Sequence, residues 1–191
     1  MDNKKILGFL QSFVMIPALM SSFTWLPANN VEAPTKVLAT IQQNNEIESV
    51  IGLQTATFES RAALVDAYFA KHNSALEGYG MKMVLAADKY QIDWRLVPTI
   101  AMLESTGGNH PCKNDPENFA GWNGCKGDRF DSIDHTIEVI SMNLGGYSPA
   151  TERAYNGKTI KQIINAYNPP SIAPNYLRHA LLVMNEISPT E

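Results

Sequence analysis

The chain has 191 residues, 45% of them hydrophobic and 18% charged, a balance that suits one globular domain with a leader and argues against a disordered chain. Its formal net charge is −4, its four histidines are scattered, and no Lys/Arg cluster is present, so nucleic acid is not the expected partner.

The N-terminus differs in character from the rest. MDNKK supplies a positive start, and residues 6–26, ILGFLQSFVMIPALMSSFTWL, are apolar apart from Gln11 and a few hydroxyls. That pattern predicts an export segment over residues 1–26. Val31 and Ala33 offer a cleavage site, although Pro34 is a poor first residue for a mature chain. A retained membrane anchor is the second reading, since a spanning helix needs roughly 20 apolar residues, and a buried helix is the third. Residues 27–58 are polar, carry Pro27 and Pro34, and show no sustained helical stripe. They read as a tether holding at most a short helix.

From residue 59 onward, helical spacing dominates. Ser60 is a plausible N-cap for RAALVDAYFAKH, with Leu64, Val65, Tyr68 and Phe69 on one face. MKMVLAADKYQ places Met83, Val84, Ala87 and Tyr90 together, and Asp93 is the expected cap of the helix carrying WRLVPTIAMLES, where Pro98 falls near the first turn. An irregular stretch from Gly107 to Arg129 follows. Ile133, Ile137, Ile140 and Leu144 then resume the helical period until Gly145 and Gly146 stop it. TIKQIINAY and NYLRHALLVMNEI complete the series, the first with Ile160, Ile163, Ile164 and Tyr167 on one face and the second with Leu177, Ala180, Leu181 and Met184 on one face of its own. The expectation is an all-α domain over 59–191, built from five or six helices around one long loop.

Both cysteines, Cys112 and Cys125, lie in that loop. In an exported chain a disulfide between them is the leading reading. A zinc site using His110 or His135 is the alternative, but one Cys pair is only half of a structural ligand set.

In IAMLESTGGN, an apolar helix ends on a carboxylate. Glu104 lies four residues beyond Ile100 and seven beyond Val97, so the three share a stripe that faces the core or a cleft. Partial burial and the negative end of the helix dipole both disfavour the anion and raise the carboxyl pKa. A carboxyl protonated near neutrality can protonate the leaving oxygen of a glycosidic bond. Gly107 and Gly108 are expected to turn the backbone away and leave room for a substrate. The competing reading is a solvated glutamate at a helix end.

YQIDWRLVPTIAMLESTGGN resembles the active-site segment of lysozyme-superfamily peptidoglycan-cleaving enzymes, notably the soluble lytic transglycosylases, whose apolar helix ends in Glu-Ser. FAGW (Phe119 to Trp122) and NAYNPP (Asn165 to Pro170) match two further motifs of that group in order. NFAGWNGCKGDRFDSIDHTIEVISMNL is also similar to the bacterial endo-β-N-acetylglucosaminidases of the same superfamily. The resemblance covers about residues 61–187 and implies a lysozyme-like fold in the cell envelope, acting on peptidoglycan glycan strands without a cofactor or metal. The N-terminal segment would be its contact with the membrane if retained. Carried over by position, Glu104 would be the general acid, Tyr167 a catalytic cleft residue, and Ser105, Gly121, Trp122 and Asn168 the substrate contacts. Trp122 suits a sugar-stacking platform, or a prop for the loop. One departure is plain: the Gly-Leu-Met-Gln signature of the transglycosylases is here Gly121-Trp122-Asn123-Gly124.

Glycosidases usually pair two carboxylates, yet no spacing sets Asp115, Glu117, Asp128 or Asp131 opposite Glu104. The resemblance implies an answer, in which the substrate's N-acetyl group or an internal hydroxyl takes the second acid's place. The alternative from another class is a non-catalytic glycan-binding or structural envelope module with the same fold.

Overall fold

Helix α1 runs from Ala33 to Lys71, 39 residues, in a computed structural model that describes residues 33–127 and 129–189. The expected export segment, residues 1–26, lies outside the described residues. Among those described, no helix is long and apolar enough to cross a membrane. The chain divides into two units, Met1–Gln43 and Asn44–Glu191. The elements from α2 onward all belong to the second.

The tether expectation needs correction from residue 33, where helix replaces irregular chain. Side chains at 46–50 and 52–57 are exposed, Val50 at 53% and Leu53 at 70%. With no packed face there is no selection for a 3.6-residue apolar stripe, which is why the pattern hid the helix. Thr55 and Thr57 return their hydroxyls to the carbonyls of Ile51 and Leu53, both at 2.9 Å, so neither is left to disrupt the turn. Ser60 is therefore an interior residue and not a cap. Leu64 is also corrected: it is 41% exposed, while Val65, Tyr68 and Phe69 are buried as expected.

Six further helices follow, with a short 3₁₀ turn, Trp122–Cys125, among them: α2 (Gly80–Lys89), α3 (Leu96–Ser105), α4 (Ile133–Leu144), α5 (Glu152–Tyr155), α6 (Ile160–Tyr167) and α7 (Tyr176–Ile187). No strand is present among the described residues, so the all-α expectation holds. The helix starts are set by side chains. Asp66 of α1 accepts the N–H groups of Gly78 and Gly80 at 2.9 and 2.8 Å, Ser132 caps α4 through His135 N–H at 3.1 Å, and Thr159 with Gln162 forms a capping box on α6. Asp93 sits three residues before α3 and accepts the Arg95 N–H at 2.9 Å, so it orders the entry turn instead of capping the helix proper. Arg95, 8% exposed, pairs with Asp93 at 2.7 Å and donates to the Ser188 carbonyl at 2.9 Å, fastening the C-terminal end of α7 beneath α3.

Helix α3 is the hub. Every residue from Leu96 to Ala101 is buried, and the helix packs on α7, α2 and α4. A helix apolar on all sides belongs in the middle of a bundle, and Pro98 is tolerated because it lies in the first turn. Val97 and Ile100 of this helix share the core with Phe69, Met83, Phe119, Ile140 and Ile164, each no more than 1% exposed.

Candidate active site

Where α3 leaves this core, its last turn carries Glu104. Val97 and Ile100 on the same stripe are fully enclosed, and Glu104, the next position along it, is half-buried at the edge. The helix stops at once: Thr106 takes the left-handed conformation at φ 55°, and Gly107 follows at φ 66°. Glu104 is thus presented by the last turn of one helix.

The glycines after Glu104 do not make room for a ligand, contrary to expectation. A Cβ at Gly107 would stand 2.3 Å from Ser74 Oγ, and one at Gly108 would stand 3.0 Å from Leu76 Cγ. Their hydrogens face the loop between α1 and α2, and Ser74 Oγ donates to the Gly107 carbonyl at 2.6 Å. Close packing of that loop is what demands glycine at 107. The glycine beside the carboxylate is Gly121, where a Cβ would lie 3.1 Å from Glu104 Oε2 and φ is 64°.

Three tyrosines complete the surroundings. Tyr176, the first residue of α7, donates its hydroxyl to Glu104 Oε1 at 2.7 Å. Tyr167 at the end of α6 stacks on Tyr176 with ring centres 6.3 Å apart and donates its own hydroxyl to the Ala120 carbonyl. The Trp122 ring lies 6.0 Å from that of Tyr167, centre to centre. Tyr155 of α5 is buried nearby and, with Glu104, helps to raise the Tyr167 hydroxyl.

Burial raises the Glu104 carboxyl above 4.5, and the Tyr176 hydrogen bond, which favours the anion, offsets part of that rise. Burial also lifts the Tyr176 and Tyr167 phenols, with the Glu104 charge next in effect on each. Both phenols therefore stay protonated and act as donors throughout the range in which Glu104 titrates.

The other expected site residues fall into two groups. Gly121 lies beside Glu104, Tyr167 stacks on the Tyr176 ring that reaches it, and Trp122 is next to Tyr167. Asn168, partly exposed, follows Tyr167 as the C-cap of α6, its N–H on the Ile164 carbonyl. Ser105 does not join them: it is 3% exposed, its hydroxyl donates to the Ala101 carbonyl at 3.0 Å and accepts from Gly108 N–H at 2.8 Å. A substrate contact is corrected to a role in closing the helix end. Tyr167, expected to act on the substrate directly, has its hydroxyl committed to the backbone of the FAGW segment. Tyr176 was not foreseen, because only the contact across 72 residues of sequence makes it part of the site.

Cys112 and Cys125 form a disulfide, which removes both as zinc ligands, and no cluster of three metal-binding side chains occurs among the described residues. The bridge pins the loop behind Trp122. Asn118, 4% exposed, holds the same loop by accepting Trp122 N–H at 3.0 Å and donating to its carbonyl at 3.2 Å.

Comparisons with protein families, curated proteins and solved structures return no match to this chain.

Proposed function

We propose that the protein cleaves the β-1,4 glycan strand of peptidoglycan, with Glu104 as general acid and then base. One observation carries this reading: a half-buried carboxyl at a helix end, held on Oε1 by the Tyr176 phenol, with Oε2 beside Gly121. Tyr176 orients the carboxyl through Oε1, so the proton resides on Oε2 and is the one offered to a sugar oxygen. Proton transfer to that oxygen breaks the glycosidic bond and leaves Glu104 anionic, the form the Tyr176 hydroxyl stabilises. The anion then takes a proton from the incoming water or sugar hydroxyl.

A second carboxylate is not required. Asp115 is bound within the loop to Phe130 N–H, and Asp131 is largely exposed and paired with His135 at 3.5 Å. The N-acetyl group of the substrate, or its own hydroxyl, supplies the second nucleophile, an accepted exception to the two-acid rule. Trp122 offers a sugar-stacking face. The disulfide fits an extracytoplasmic setting, with the N-terminal segment as export signal or anchor.

Glu104→Gln is expected to abolish release of muropeptides from purified sacculi with the helical circular dichroism unchanged. Mass spectrometry of the wild-type digest identifies the bond and the product, since an anhydro sugar is lighter by one water. Saturable sacculus binding without product, for wild type as well as variant, would instead mark a non-catalytic glycan-binding module.

A further inference from the structure

Between α6 and α7 lies an open groove of about 520 Å³. Its lining is largely aliphatic, with Ile160, Leu181 and Met184 and with Leu182, which is 58% exposed. Lys161 and Arg178, both exposed, border it. Neither has a carboxylate partner among the described residues; Arg178 Nη2 lies 3.0 Å from His179 Nε2. The carboxylates close by are taken: Arg95, also on the groove, pairs with Asp93, and Glu186, next to the groove residue Asn185, pairs with Lys71, both at 2.7 Å. The sequence carries the same imbalance. In a chain of net charge −4, residues 153–185 hold Arg153, Lys158, Lys161 and Arg178 and no Asp or Glu.

An aliphatic groove with a cationic border suits a helix that offers aliphatic side chains beside an acid. The chain itself contains one. Residues 44–60 hold Glu46, Glu48 and Glu59 and no Lys or Arg. Glu46, Val50 and Leu53 stand at i, i+4 and i+7 with Ile47 beside them, a row two turns long on one side of α1, and all four are exposed. This part of α1 also lacks support of its own. It contains Gly52 and the β-branched Val50, Ile51, Thr55 and Thr57, all poor helix formers, and an unpacked helix of that composition is marginal in water. A surface laid against the row supplies the missing burial. The row is exposed within one copy, so the groove that covers it belongs to another.

We propose that the α6–α7 groove takes the Glu46–Leu53 stretch of α1 from a second copy of the chain, aliphatic side chains against Leu181 and Leu182 and Glu46 toward the Lys161 and Arg178 border. The contact uses no residue of the Glu104 site and does not depend on the glycan reading.

The test is sedimentation of the full chain in a non-ionic detergent at physiological salt. Wild type is expected to self-associate. Glu46→Lys, or Lys161→Glu with Arg178→Glu, should raise the dissociation constant at least about tenfold, and the three substitutions together should restore association because the charges then match in reverse. Glu48→Lys makes the same charge change on the far side of the helix and should leave the constant within about twofold. All four positions are exposed, so the substitutions spare the core. Wild type that sediments as one copy at about 100 μM overturns the proposal, as do variants that associate like wild type. Binding of a single-copy wild type to vesicles of anionic phospholipid, lost on Lys161→Glu with Arg178→Glu, also overturns it and gives the groove to a membrane surface.

Discussion

Glu104 and Tyr176 form a pair whose effects have opposite signs: burial favours the neutral acid, and the phenol favours the anion. Tyr176→Phe removes the second effect alone. The carboxyl pKa then rises further, so the limb on which kcat/KM falls with increasing pH moves to higher pH, as a pH–rate profile on soluble muropeptides would record. The lost buried hydrogen bond costs about 1 kcal/mol of stability in a denaturant melt. Linkage follows from the same shift. Glu104 titrates higher folded than unfolded, so its contribution to stability is full at low pH and is lost as pH rises from about 4.5 through the raised value. Glu104→Gln removes that term, and the variant should gain stability relative to wild type between pH 4 and pH 7 in paired thermal melts. Glu104 itself was legible in the sequence because Val97 and Ile100 precede it at helical spacing. Tyr176 was not, since nothing local distinguishes the first residue of α7 from any other helix-start tyrosine.

Among the elements, the loop between α3 and α4 is the least regular and the most constrained. Phe119, fully buried, roots it in the core, Asn118 clamps the Trp122 backbone, and the Cys112–Cys125 bridge spans 13 positions. Closing a loop of that length restricts the unfolded chain, so Cys112→Ser with Cys125→Ser should lower stability by about 3 kcal/mol. Urea denaturation of the double variant beside the oxidised wild type measures it; coincident curves would show that the bridge adds nothing. The pairing was legible from two nearby cysteines and an export-like leader. The division of labour among the glycines was not. Gly107 and Gly121 look alike in sequence, yet one meets Ser74 and the other Glu104, because different loops arrive beside them.

At the scale of the whole molecule, the core formed by the described residues lies within Asn44–Glu191, and among the described side chains of α1 those that join it begin at Phe58. Exposed side chains between 46 and 57 contribute little to that core, since surface positions without partners each affect stability by a few tenths of a kcal/mol. A chain beginning at Phe58 is therefore expected to unfold within about 1 kcal/mol of the full chain in urea. A much larger loss would show that the helical extension covers apolar surface. Ile47, Val50 and Leu53 on that extension are exposed and form no part of the core.

Local pattern alone determined the all-α class, most helix positions, the core faces and the stripe that ends on Glu104, because helical period and caps act within a few residues of one another. Tertiary structure decided what surrounds that carboxyl: Tyr176 on one oxygen, Gly121 beside the other, Ser105 turned inward, and Tyr167 holding the Ala120 backbone. It also decided that residues 33–58 are helical, since the exposed positions 46–50 and 52–57 bury no face and so leave no stripe to find. Contacts between residues dozens of positions apart depend on how the helices pack, and no periodicity within a single segment encodes them.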